Sequence, residues 1–239
     1  MLEVPGKSKI EKLGSIRKEL TNVVIFVAAI WIVFILDAFL PLKEWFPLVP
    51  RSFLGLIGIF TSPFLHGDIW HILANTLPLI VLLSLLVGSR SRSWEVVLAI
   101  ILVGGGVLWL FGNPIQFLQG VFGYIVGVFR QSGTDPVEVT IRAHIGASLL
   151  IFGLITFLIT AGFLEKRFVP MAVAMFVMFM YGFTLLFGIV PKFNSNESWD
   201  GHLSGAVGGV LVAFLMHWNA NAKPSGKKSE GGAGSFPEL

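Results

Sequence analysis

Residues 144–153 read HIGASLLIFG, and the apolar run they open continues to about residue 164. That run is long enough to cross the ~30 Å hydrocarbon core of a bilayer as a helix. Ser148 stands at its mouth. A second stretch, DGHLSGAVGG at 200–209, opens another such run with His202 near its start. Polar side chains inside membrane-length segments are expensive, so they mark function by default. A serine nucleophile and a histidine base are the smallest pair that supports acyl transfer. The reading of the whole chain turns on whether these two meet.

Working outward, six such runs can be drawn, at about 21–40, 67–88, 94–112, 146–164, 168–190 and 202–218. The composition agrees: 54% of the 239 residues are hydrophobic and only 13% charged, where soluble proteins carry about a quarter charged. The expected class is an all-α, polytopic membrane protein with six transmembrane helices. The first run is too long for a signal-peptide core, so it reads as a retained span. Before it lies a basic segment, 1–20, with Lys7, Lys9, Lys12, Arg17 and Lys18. After the membrane domain (21–218) comes a Gly/Ser/Lys-rich tail, 219–239, expected to be disordered.

Lys and Arg placement sets the expected orientation. The basic N-terminus, Arg90 and Arg92 in GSRSRS (88–93), EKR at 165–167, and Lys223, Lys227 and Lys228 all fall on one side if there are six spans. That side is the cytoplasm, and the host is expected to be a prokaryotic cell (inner) membrane. Residues 114–129 are also apolar, but a seventh span there would turn EKR outward. They read as an interfacial helix within an extended outer connection, 113–143. Trp45, Phe46, Phe53 and Phe60 suit the headgroup zone of the first outer loop.

This topology puts three polar sites at one depth. His71 and Asn75, in WHILAN (70–75), are four residues apart and share a helical face. Two hydrogen-bonding side chains there can stabilise an oxyanion, or simply glue helices together. Ser148 follows Gly146 at a helix start, where free N–H groups favour negative charge; an ordinary packing serine is the plain alternative. His202 shares a face with Gly205 and Gly209, a small-residue pair that admits a neighbouring helix. His66 and His217 read as interfacial, His144 as a rival base ahead of the helix, and Asp200 as a membrane-edge carboxylate. There is no cysteine and no H-E-x-x-H, and no acidic third ligand at the depth of His71 and His202, so no metal is expected. No basic-aromatic pattern points to nucleic acid.

Taken together, HILAN (71–75), IGAS (145–148) and GHLSGAVGG (201–209) resemble the rhomboid intramembrane serine proteases, over roughly residues 21–218. They are similar to that family's H-x-x-x-N, G-x-S-G and H-x-x-G-x-x-x-G elements, in order and on the matching spans. The resemblance implies a Ser148–His202 dyad, an oxyanion site assisted by His71 and Asn75, transmembrane protein substrates cut near their outer ends, and no cofactor. The departure is Leu149, which replaces the glycine expected after the serine. It motivates a second reading, a weak or inactive rhomboid-like protein that binds transmembrane helices. A channel or transporter is a third, disfavoured because the polar residues cluster at one depth.

Overall fold

The computed structural model describes residues 7–90, 92–114, 117–118, 143–191 and 198–222. Among them are six helices long and apolar enough to cross a membrane. They are α1 (Lys7–Asp37), α2 (Ile69–Ser89), α3 (Ser93–Phe111), α4 (Ser148–Glu165), α5 (Phe168–Gly188) and α6 (Trp199–Ala222). The six spans expected from hydropathy are all present, with ends shifted by a few residues. The exception is α1, whose helix begins well before its apolar part. At 31 residues it runs about 46 Å, longer than a bilayer core. α6 continues through Ala222, four residues into the stretch read as tail. The rest of that tail, and most of the 113–143 connection with its expected interfacial helix, lie outside the described residues.

α4 is the centre. Two-thirds of its membrane window (67%) is buried inside the protein, against 11% for α1 and 17% for α5. Its sequence explains why: it is apolar on every side, as a helix surrounded by other helices must be. Leu150, Leu154, Ile155 and Phe157 are fully buried. α6 packs on it most extensively, α5 next, then α3 and α2; α1 packs mainly on α2. The helices at the edge leave large side chains outside, such as Phe179 and Phe183 of α5, as lipid contact requires.

Glycines set how close α6 comes. A Cβ at Gly205 would collide with the Leu149 carbonyl oxygen, and one at Gly209 with the Gly153 carbonyl. Matching Leu149 to Gly205 and Gly153 to Gly209 makes α4 and α6 parallel neighbours, with their starts at the same end. On the other side of α6, a Cβ at Gly208 would lie 2.7 Å from the Gly104 backbone of α3. Without side chains between them the helices gain backbone-to-backbone van der Waals contact, the main source of association where lipid removes the hydrophobic term. One interhelical hydrogen bond adds to it, from Thr156 Oγ1 to the Ala206 carbonyl at 2.8 Å.

The connection between α1 and α2 is ordered by polar anchors. Arg51 donates to the carbonyls of Leu110 and Gly112 at the end of α3, at 3.2 and 2.7 Å. Trp109 Nε1 donates to the Ser52 carbonyl at 2.8 Å. Trp45, Phe53 and Phe60 are exposed on this segment. At the opposite end of the bundle Arg90 pairs with Glu165 at 2.5 Å, joining α2 to α4.

Gly209→Ala is expected to lower the thermal midpoint in detergent, because the added methyl drives into the Gly153 carbonyl; overpacking of this kind costs about 1–3 kcal/mol. Gly106→Ala on α3 meets open space and is expected to leave the midpoint unchanged or slightly raised.

Candidate active site

Three helix starts converge at one end of the bundle. At α2, the Asp68 carboxylate accepts hydrogen bonds from the backbone N–H groups of Trp70 and His71, at 2.8 and 2.9 Å. This is a standard aspartate cap, and it fixes the first turn on which His71 sits. His71 Nε2 lies 2.5 Å from the point a Cβ would occupy at Gly146, and Asn75 Nδ2 lies 3.5 Å from it. The two side chains paired by sequence spacing therefore meet the chain two residues before Ser148.

Gly146 has φ +111°, a conformation that only glycine adopts without strain. Any side chain there would also strike the His71 ring. Its N–H donates to the Ser62 carbonyl at 2.8 Å, which ties the turn to the α1–α2 connection. Ser148 is the first residue of α4, and the preceding Ala147 offers no side-chain cap. The first N–H groups of a helix lack intrahelical acceptors, so those of Ser148 and Leu149 are left as donors at this mouth.

His202 is the fourth residue of α6. Its ring lies flat on Phe152, with centroids 4.1 Å apart and planes 3° from parallel. Phe152 follows Ser148 by four residues, so it lies one turn below the serine on the same face. His202 Nδ1 is 2.9 Å from the Gly188 carbonyl at the end of α5. A carbonyl can only accept, so Nδ1 carries a proton, and a neutral ring in this tautomer has its lone pair on Nε2. This is the tautomer in which Nε2 can act as a base. Phe152 and the Gly188 carbonyl were not singled out from sequence; the first is signalled only by its i+4 spacing from Ser148, the second by nothing.

Leu149 is buried with Leu48 and Leu108. Its Cδ2 approaches Gly104, 3.1 Å from where a Cβ would stand there. The bulk added next to the serine is thus received by a glycine of α3. The atoms nearest Gly205 are those of the Leu149 backbone rather than its side chain.

Two histidines differ from their sequence reading. His66 is not interfacial: it is 1% exposed. Its Nδ1 faces the Phe64 carbonyl at 3.4 Å. Its Nε2 accepts from Asn75 Nδ2 at 3.1 Å, and its ring packs edge-on against His71 at 5.0 Å. It thereby fixes which way the Asn75 amide faces. His144, the rival base, is buried and turned to Ser198, with Nδ1 2.7 Å from Oγ. His217 lies toward the other end of α6, paired with Asn221 at 3.0 Å. Among the described residues no group of three His, Asp or Glu side chains is placed to hold a metal.

The fold and this polar cluster define a six-span helical membrane protein with a serine and a histidine at the starts of parallel neighbouring helices. The Rhomboid domain model matches residues 54–219, and the chain belongs to the rhomboid family. It is 34% identical to an uncharacterized protein of Mycobacterium tuberculosis, Rv1337, over 224 residues, 92% of this chain and 83% of the relative. Mb1372 of Mycobacterium bovis matches to the same extent. ML1171 of Mycobacterium leprae, also uncharacterized, is 36% identical over 165 residues, 67% of this chain and 56% of its own.

The His66 side chain gives the site a pH dependence. Burial, and then the neighbouring His71 ring, push its pKa down from 6.5 to about 4, against the opposing pull of the Phe64 carbonyl. Between those values the unfolded chain binds a proton that the folded chain does not. Stability from this group is therefore full above about pH 6.5 and is lost as pH falls toward 4, by at most about 3 kcal/mol. The thermal midpoint in detergent is expected to fall between pH 7 and 4.5. In His66→Gln, which keeps an acceptor for Asn75 but does not titrate, that slope is expected to flatten.

Proposed function

We propose that this protein is an intramembrane serine endopeptidase that cleaves transmembrane protein substrates near the outer membrane face. The single observation that carries the reading is the position of His202. It stacks on Phe152, one turn below Ser148, with Nδ1 donating to the Gly188 carbonyl. The orientation follows from Lys and Arg placement, with both termini cytoplasmic and the site toward the outer face of a prokaryotic cell (inner) membrane.

His202 Nε2 takes the proton of Ser148 as Oγ attacks the scissile carbonyl carbon. Proton transfer needs the two within about 2.6–3.2 Å in the substrate complex. The carbonyl oxygen becomes an oxyanion and is held by the Ser148 N–H, His71 and Asn75. Donors already in place before charge develops are worth about 3–4 kcal/mol each in such sites. The tetrahedral intermediate collapses, the C–N bond breaks, and His202 passes its proton to the leaving amine. Water then attacks the acyl ester, gives a proton to His202, and Ser148 is regenerated. No cofactor takes part. The substrate helix enters laterally, from the bilayer.

The alternative, a catalytically weak or inactive helix-binding homologue, rests on Leu149. The contact of its side chain with α3 supports a tolerated residue rather than a block. The experiment is labelling by a serine-directed fluorophosphonate, paired with cleavage of a labelled transmembrane substrate in detergent. Ser148→Ala is expected to abolish labelling and to lower turnover more than about 1000-fold. Cleavage that persists in Ser148→Ala, or wild type that never labels, would overturn the assignment. Leu149→Gly is expected not to raise turnover but to lower the thermal midpoint, since removing a buried leucine side chain costs about 2–5 kcal/mol. A rise in turnover would favour the alternative.

A further inference from the structure

We infer that Asp200, with Ser198 and His144, is a positioning cluster that sets the start of α6 against the start of α4, and so holds His202 in place for Ser148. The inference rests on the reading of those two residues as a catalytic pair.

Asp200 is 9% exposed, and both carboxylate oxygens are engaged. Oδ1 accepts from the Ser198 hydroxyl and from the Gly201 N–H, each at 3.0 Å. Oδ2 accepts from the Asn113 N–H at 2.8 Å and lies 3.6 Å from His144 Nε2. The Ser198 proton goes to Asp200, so its Oγ is the acceptor for His144 Nδ1–H at 2.7 Å. The backbone carbonyl of Ser198 in turn accepts the N–H of His202 at 3.0 Å. An unbroken chain of hydrogen bonds thus runs from His144, four residues before Ser148, to the backbone of His202.

The His144 end is itself anchored. Its backbone exchanges two hydrogen bonds with Leu48, at 3.1 and 2.8 Å. A plain helix cap would satisfy only its own helix. Asp200 instead reaches two other segments, Asn113 just past α3 and His144 just before α4. These are also the two ends of the long connection between α3 and α4, so one carboxylate fastens both of them to the start of α6. Hydrogen bonds to an ionised acceptor are about twice as strong as neutral ones, which suits a clamp.

The glycine contact between α4 and α6 fixes their separation. The Thr156–Ala206 hydrogen bond fixes their register lower down, and the cluster adds a polar tie at the mouth, ahead of Ser148 and His202. Misplacement of a catalytic group by about 1 Å can cost on the order of 100-fold in rate.

The test uses the absence of cysteine in this chain, which lets Ala143→Cys and Leu203→Cys, both at exposed positions, carry a spin-label pair across the two helix starts. A single narrow distance distribution is expected in the otherwise wild-type protein and a broadened one in Asp200→Ala. Without the labels, Asp200→Ala is expected to lower kcat and the rate of fluorophosphonate labelling about 10–100-fold with KM within about twofold, and Asp200→Asn, which keeps one acceptor oxygen, to recover part of that loss. Glu165→Gln, which loses the Arg90 pair at the far end, is the comparator: it is expected to lower the thermal midpoint without changing kcat. An unbroadened distribution, or a kcat in Asp200→Ala equal to wild type, overturns the inference. If wild type neither labels nor cleaves, the protease reading fails by itself, and the distances alone decide whether the clamp exists.

Discussion

The structure depends on one close contact, the parallel approach of α6 to α4 through Gly205 and Gly209. Each glycine receives a backbone carbonyl of α4 where any Cβ would collide. In water such a contact would be a small addition to hydrophobic burial. In a bilayer, where lipid tails compete equally for apolar surface, it becomes the principal reason for two helices to associate. Because the contact is made in the first two turns of α4 and the second and third turns of α6, it also brings Ser148 and His202 to the same end. Packing and chemistry share the same residues here.

Around that contact the site is assembled from segments that are distant in sequence and individually simple. Asp68 caps α2 and thereby fixes the turn carrying His71. A positive-φ glycine brings the chain before α4 under His71 and Asn75. His66 settles the orientation of the Asn75 amide. The first connection is tied by Arg51 and Trp109 to the end of α3, and by Ser62 to the Gly146 turn. The apolar bulk of the protein lies below this layer, and the polar bonds are concentrated within it. A membrane protein has little choice: polar groups near its ends must find partners locally or reach water.

Much of this was legible in the sequence, for physical reasons that differ by element. The six spans were, because length and hydropathy are enforced by the bilayer along every crossing. So was the pairing of His71 with Asn75, since four-residue spacing fixes a helical face. His66 was misread as interfacial because its burial comes from the fold of a loop, for which no periodicity exists. The contact of Leu149 with Gly104 was equally hidden. Leu149 looked like an obstruction when judged by its sequence neighbours, and only the opposite helix shows where its side chain goes. The partner of His202 Nδ1 is a backbone carbonyl, which carries no residue signature at all.

That carbonyl has one more consequence. Gly188 is the last residue of α5, the helix held chiefly along α4 by Gly162, Pro170 and Ala174 near its beginning. Its far end meets α4 as well, because a Cβ at Gly188 would lie 2.3 Å from the Phe152 ring, and the hydrogen bond from His202 adds a polar tie there. If that end swings outward, Nδ1 loses this acceptor. The hydrogen bonding of the His202 ring and the position of α5 are then linked through a single backbone oxygen.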